Sequence, residues 1–286
     1  MQIIDTHCHV ISGDESRYPR APLGGKQSAW AQSRPLTAEQ MVVAMDEAGI
    51  ARAVLVQATT AYGYDNAYVL DCARRYPDRL IAVGTFDPLA PGAAARLTAA
   101  LESGLAGVRL FTAGSTLSGQ GAWFADSAMD PFWEAARETT ICLQLRLDAA
   151  SHELDSVLER FPAVRVLLDH CGYPDIAASP AAAGRQLARL ARHPRLHLKL
   201  THRNLEPLQA VGDRASEFLE PVLDSFGADR IAWGSNCPAA EQSLPELVEL
   251  AESVLSRLPE SPRRAILAGT SRRLYPELAT TAAANA

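Results

Sequence analysis

The amino-acid sequence predicts an α/β protein folded as a single (β/α)8 TIM barrel. Three observations carry that prediction. Eight short apolar runs are spaced along the 286 residues. Segments with helix-capping residues separate them. No glycine-rich loop follows the first run, as a dinucleotide-binding sheet would require.

The runs are Ile3-Ile4, Ala53 to Val56, Leu80 to Val83, Leu105 to Val108, Ile141 to Leu143, Val164 to Leu168, Leu196 to Leu200 and Ile231 to Trp233. They are continuous rather than alternating, which suits parallel strands covered on both faces. Between them, Thr37-Ala38-Glu39-Gln40 reads as a capping box opening a helix that stops at Gly49. Asp130-Pro131 and Ser179-Pro180 place a cap residue before a helix-opening proline. Ser243 to Glu246 is a second capping box, and Ser261-Pro262 opens the last helix. Strand–helix alternation repeated eight times favours a closed barrel. Residues 1–278 form this one domain, and 279–286 are expected to be a disordered tail. The polar stretch from Ile11 to Pro35 is a long loop after the first strand, so it belongs on the catalytic face.

Composition limits the function. Hydrophobic residues make up 48% and charged residues 21%, so a large core needs no disulfides. The net charge of −6, with no basic run, gives no footing for nucleic acid. No apolar stretch is long enough to span a bilayer. The start, Met1 to Asp5, lacks the features of a signal peptide. Five cysteines, with no CxxC pair, fit reduced thiols. The expectation is a cytoplasmic protein acting on a small molecule, with assembly as a homo-oligomer left open. Lys26 and Lys199 are the only lysines.

In barrels the chemistry sits at the carboxyl ends of the strands. Those positions hold His7 and His9, Gln57, Asp87, Arg109, Gln144 with Arg146, Asp169 with His170, Lys199 and Asn236. In a strand, residues two apart face the same way, so His7 and His9 converge on one ion or one carbonyl. Cys8, Cys171 and Cys237 then point outward and pack. Arg109, Arg146, Lys199 and Arg203 cluster near the mouth, and the arginine fork suits carboxylates. This predicts a small anionic substrate, with Gln57, Arg109, Arg146 and Lys199 binding it. Lys199 could instead pair with Asp169. Arg146 and Arg203 could equally be solvated loop charges.

Asp5-Thr6-His7-Cys8-His9 resembles the opening D-x-H-x-H of the amidohydrolase superfamily. More narrowly, the chain resembles its amidohydrolase-related (amidohydrolase 2) branch, which includes 2-pyrone-4,6-dicarboxylate hydrolase and sugar lactonases. Val56-Gln57 with Gly63 to Asn66, Gly107-Val108-Arg109, Asp169-His170-Cys171-Gly172, Leu198 to Thr201, Trp233 to Pro238 and Arg273-Leu274-Tyr275 continue the likeness nearly end to end.

The resemblance implies a hydrolase that opens a small carboxylated lactone or related cyclic ester. His7, His9, His170 and Asn236 are its catalytic candidates, and the histidines would polarise the carbonyl. Two departures stand out. The branch places a general-base aspartate where this chain has Asn236, and a neutral amide accepts no proton. Gln144 stands where metal-dependent members carry a histidine. His7, His9 and His170 remain as the only metal ligands in sight. The cofactor is therefore none, or one divalent ion with zinc foremost. Two other readings stay open. One is a metal-dependent decarboxylase of the same superfamily. The other is a catalytically silent barrel that binds a small molecule, for which Asn236 is the main support.

Overall fold

The computed structural model describes residues 2–112 and 123–279. Residues 280–286, most of the expected tail, lie outside the described residues.

Eight parallel strands run in sequence order: β1 (Ile3–Cys8), β2 (Ile50–Val56), β3 (Leu80–Gly84), β4 (Gly107–Phe111), β5 (Thr140–Gln144), β6 (Arg165–Leu168), β7 (Leu196–Leu200) and β8 (Ile231–Trp233). Each pairs with the next. A parallel bridge between Cys8 and Cys237 closes the ring. The His9 N–H donates to the Cys237 carbonyl at 2.8 Å, and the Asn236 N–H to the His7 carbonyl at 2.6 Å. The predicted TIM barrel is the observed fold, with each apolar run falling on its own strand.

Alternation along the strands divides the side chains into two sets. Ile4, Val54, Val56, Ile81, Val83, Cys142, Leu167 and Ala232 pack together inside the barrel, closed below by Ala268, Leu274, Tyr275 and Leu278. Their neighbours Ala53, Leu55, Val108, Leu143, Leu198 and Trp233 pack outward against the helices. Cys8, Cys171 and Cys237 belong to this outer layer, as expected. Burial pushes all three thiols up, to about 12 for Cys237. They are packing groups, not thiolates.

One irregularity matters. Ile4 faces inward, and so does His7, three residues on, which a regular strand forbids. The pairing of β1 with β2 slips between Asp5 and Cys8. This bulge re-aims the strand so that both histidines face the mouth.

The capping boxes at Thr37 and Ser243 form as predicted, on helices Ala38–Glu47 and Leu244–Leu255. Ser179 caps Pro180–Ala188. The last helix differs from expectation. It opens at Glu260, so Ser261 and Pro262 lie inside it, and Pro259 precedes it. Asp130 likewise starts its helix from within, because a short turn over Ser127–Met129 runs into it. The long loop is tied down: the Ala21 and Leu23 N–H groups donate to the Ala61 and Thr59 carbonyls at 2.8 and 3.1 Å. Among the described residues no helix is long and apolar enough to cross a membrane.

Candidate active site

At the carboxyl ends of the strands lies a cavity of about 470 Å³. His9, Gln57, Arg109, His170 and Asn236 line it, with Trp30, Gln144, Arg146, Tyr173 and Arg203. Trp30, from the long loop, stacks on His9 with ring centres 5.2 Å apart. The loop therefore roofs part of the site.

His7 and Lys199 lie beneath this floor, each fully buried. The Lys199 ammonium stands 2.8 Å from Asp169 Oδ1 and 3.1 Å from His7 Nδ1. The Asp169 contact is an ion pair by distance, though its donor angle is poor for a hydrogen bond. Arg109 Nε donates to the other Asp169 oxygen at 2.7 Å. Burial alone pushes the Asp169 carboxyl up. The charges of Lys199 and Arg109 more than reverse this and hold it well below the usual range. Two cations against one carboxylate leave the floor positive.

Hydrogen bonds assign protons to two histidines. His9 Nδ1 lies 2.8 Å from the Val56 carbonyl, which only accepts, so Nδ1 carries the hydrogen. Burial, then Arg109, lowers the His9 pKa to about 4, so the ring is neutral and Nε2 bears a lone pair. Asn236 Oδ1 is placed 3.3 Å from that lone pair. Turning the amide over exchanges oxygen for nitrogen at no steric cost and gives Nε2 its donor. His7 has the opposite tautomer. Lysine only donates, so His7 Nδ1 accepts from Lys199 and the hydrogen sits on Nε2. That Nε2 is buried and has no partner. The His7 ring lies 4.9 Å from His9 and 5.3 Å from His170, both of which line the cavity.

His170 Nδ1 lies 2.8 Å from Thr201 Oγ1. Its backbone is left-handed, φ 54°, and Asn204 clamps it by donating to the His170 carbonyl at 2.9 Å while accepting from the Thr201 N–H. Asn236 is also left-handed, φ 62°. Such conformations cost energy and collect at functional sites. Asp5 underpins both segments. It accepts from the backbone N–H groups of His7 and Ser235 at 2.8 and 2.9 Å, and from the Ser235 hydroxyl.

The other candidates are placed as follows. Gln57 lines the cavity, but its amide donates to the Asp65 carbonyl. Arg146 lines it too, half-exposed and held by Asp148 through two contacts of 2.7 and 3.2 Å. Arg203 is exposed at the rim and has no hydrogen bond or ion pair among the described residues. Lys199 does not line the cavity, so the pairing with Asp169 is the arrangement observed. Tyr173, Thr201 and Asn204 were missed in the sequence. Tyr173 left a readable signal, since it directly follows the D-H-x-G segment on the catalytic face.

Among the described residues no group of three or more His, Cys, Asp or Glu side chains is gathered to hold a metal ion. The donor chemistry agrees. His7 Nε2 carries a hydrogen rather than a lone pair, and position 236 offers an amide. The three histidines adjoin one another without fitting a zinc ligand set in this protonation state.

The histidines also fix an acid response. Burial, the leading cause in each, lowers His7, His9 and His170 below the ordinary 6.5. Below that pH the unfolded chain binds more protons than the folded one. Their contribution to stability is therefore complete above about pH 6.5 and declines as pH falls, for His9 down to its folded value of about 4. The urea midpoint is expected to drop between about pH 7.5 and about pH 5. A flat or rising midpoint would mean these rings take up protons in the fold.

Comparisons with known proteins agree with this fold. An L-fucono-1,5-lactonase of Burkholderia ambifaria is 29% identical over 203 residues, 67% of this chain and 66% of the lactonase. The match thus spans just under two thirds of that relative. A structure from Pseudomonas putida assigned as a 2-pyrone-4,6-dicarboxylic acid hydrolase superposes with a TM-score of 0.77 at 24% identity, covering 96% of this chain and 97% of that one. An amidohydrolase from Burkholderia multivorans with bound zinc gives 0.73 at 23%, covering 96% and 99%. At those identities the two structures speak for the fold. The amidohydrolase family model matches residues 4–276. The chain belongs to the amidohydrolase family of enzymes.

Proposed function

We propose that this enzyme hydrolyses a small lactone carrying a carboxylate. One observation carries the reading most directly: His9 at the cavity floor and His7 directly beneath it have opposite tautomers. His7 Nε2–H is an unpartnered buried donor, fixed by Lys199. It suits the carbonyl oxygen, which gains negative charge as water attacks. His9 Nε2 carries a lone pair beside the Asn236 amide. It suits the attacking water, which would displace the Asn236 amide from Nε2 and be oriented by it. The lactonase match supports a lactone as the substrate, while the carboxylate rests on the charges of the floor and rim.

The positive floor and rim account for an anionic substrate. Two of the three nitrogens of Arg109 are committed, to Asp169 and Gln144, which leaves Nη1. Arg203 offers its whole fork. We assign Arg203 the substrate carboxylate, and Lys199 the tautomer of His7. No step here passes through a metal.

The test is a panel of lactones matched with and without a carboxylate. The acidic members are expected to turn over with lower KM. Arg203→Met is expected to raise KM on them by roughly 10- to 100-fold, a charge-assisted contact, with kcat little changed. Turnover of neutral lactones alone would sink the anionic reading. Tight binding without opening would return the chain to a silent barrel, and release of CO2 from an aromatic acid would point to decarboxylation.

A further inference from the structure

We propose that Tyr173 is a catalytic acid, which protonates the ring oxygen as the lactone opens; this rests on the hydrolytic reading above. The case comes from the direction of one hydrogen-bond chain. Arginine has no acceptor, so the Gln144 atom facing Arg109 Nη2 at 3.1 Å is its oxygen. That fixes the amide without ambiguity. Gln144 Nε2 then faces Tyr173 Oη at 2.7 Å and donates to it. The phenol oxygen is an acceptor there, so its own hydrogen points elsewhere. No other partner for that hydroxyl exists among the described residues, and Tyr173 lines the cavity. The chain from Asp169 through Arg109 and Gln144 therefore ends in an O–H free to turn toward a ligand.

The backbone supports a dedicated position. Tyr173 sits at φ 57°, closing a left-handed run with His170, Cys171 and Gly172. A bulky residue seldom accepts that conformation. Its ring stands 5.0 Å from that of His170, and both line the cavity. Burial pushes the phenol up, so it keeps its proton until a stronger base forms beside it.

An opening lactone supplies that base. Water oxygen bonds to the carbonyl carbon, and its proton passes to His9 Nε2. The carbon–ring-oxygen bond then breaks, and the departing oxygen takes the Tyr173 proton to become a hydroxyl. The phenolate regains a proton from solvent through the open mouth, and His9 returns its own. The sum is lactone plus water giving a hydroxy acid. An aliphatic alkoxide needs this proton, whereas an aryl oxide leaves without it.

The experiment compares Tyr173→Phe with wild type on two substrate sets of equal charge. One is δ-lactones with aliphatic ring alcohols, the other aryl esters. Phenylalanine keeps the ring and its contact with His170. The expected result is a loss in kcat of about 10²-fold or more on the aliphatic lactones, the usual scale of general acid catalysis, with less than about threefold on the aryl esters. Gln144→Met, which frees the phenol to rotate, is expected to give a smaller loss with the same dependence on leaving group. Equal losses on both sets, a change in KM alone, or no change would overturn the proposal while leaving the hydrolytic reading intact. A wild-type enzyme that opens neither set would remove both together. A melting curve for each variant separates loss of the acid from loss of the fold.

Discussion

Asn236→Asp is expected to raise lactone opening by about 10²–10⁴-fold, the usual contribution of a general base. An amide at this position accepts no proton. The substitution exchanges NH2 for oxygen at constant shape. Asparagine and aspartate both tolerate the left-handed backbone found there, φ 62°, so the local chain need not move. The new carboxylate would lie about as close to His9 Nε2 as the amide does now, 3.3 Å. Its charge would favour a proton on His9. The two groups would then share the task that His9, lowered to about 4, performs weakly alone. Initial rates on a carboxylated lactone, wild type against variant, decide the matter. A folded variant with no gain on any lactone or ester would mean the pocket is built for other chemistry. A wild type already near diffusion-limited rates would make His9 or His170 a sufficient base.

Asp169→Asn should destabilise the fold by about 3–5 kcal/mol, the range seen when one partner of a buried ion pair is removed. Asp169 is fully buried, and both of its oxygens face cations, Lys199 at 2.8 Å and Arg109 at 2.7 Å. An amide can accept one hydrogen bond but neutralises neither charge. Denaturant unfolding of the single variant, then of Asp169→Asn with Lys199→Met, checks the cause. The second change removes one stranded cation and should restore part of the loss, a coupling that independent sites do not show. A loss below about 1 kcal/mol would overturn the assignment of the ion pairs to stability.

The barrel was legible because period and punctuation agree. Eight continuous apolar runs, with Thr37, Ser179 and Ser243 capping the helices between, leave little freedom. Boundaries were less so. Ser261-Pro262 has the pattern of a helix start, yet the preceding turn at Glu260 already satisfies the geometry. At the site, the residue types at strand ends identified the floor. What they could not give was direction. Whether Lys199 faces substrate or Asp169 depends on how far the inward layer reaches before the cavity begins. Arg109 likewise reads as a carboxylate fork in sequence, while two of its three nitrogens are turned to Asp169 and Gln144. Tyr173 could be placed on the catalytic face from the D-H-x-G segment before it, but not the direction of its hydroxyl, which rests on an amide that an arginine orients from another strand.

The seam between β8 and β1 carries a consequence for biosynthesis. His7 and His9 come from the first strand and Asn236 from just beyond the last. The Asn236 N–H reaches the His7 carbonyl, and Asp5 receives the Ser235 N–H. The floor is thus stitched from two segments separated by more than two hundred residues. During synthesis His7 and His9 precede Asn236 and have no site until the later segment is made. Turnover can begin only after the last strand has emerged and docked, so the onset of activity is a clock for completion of the ring.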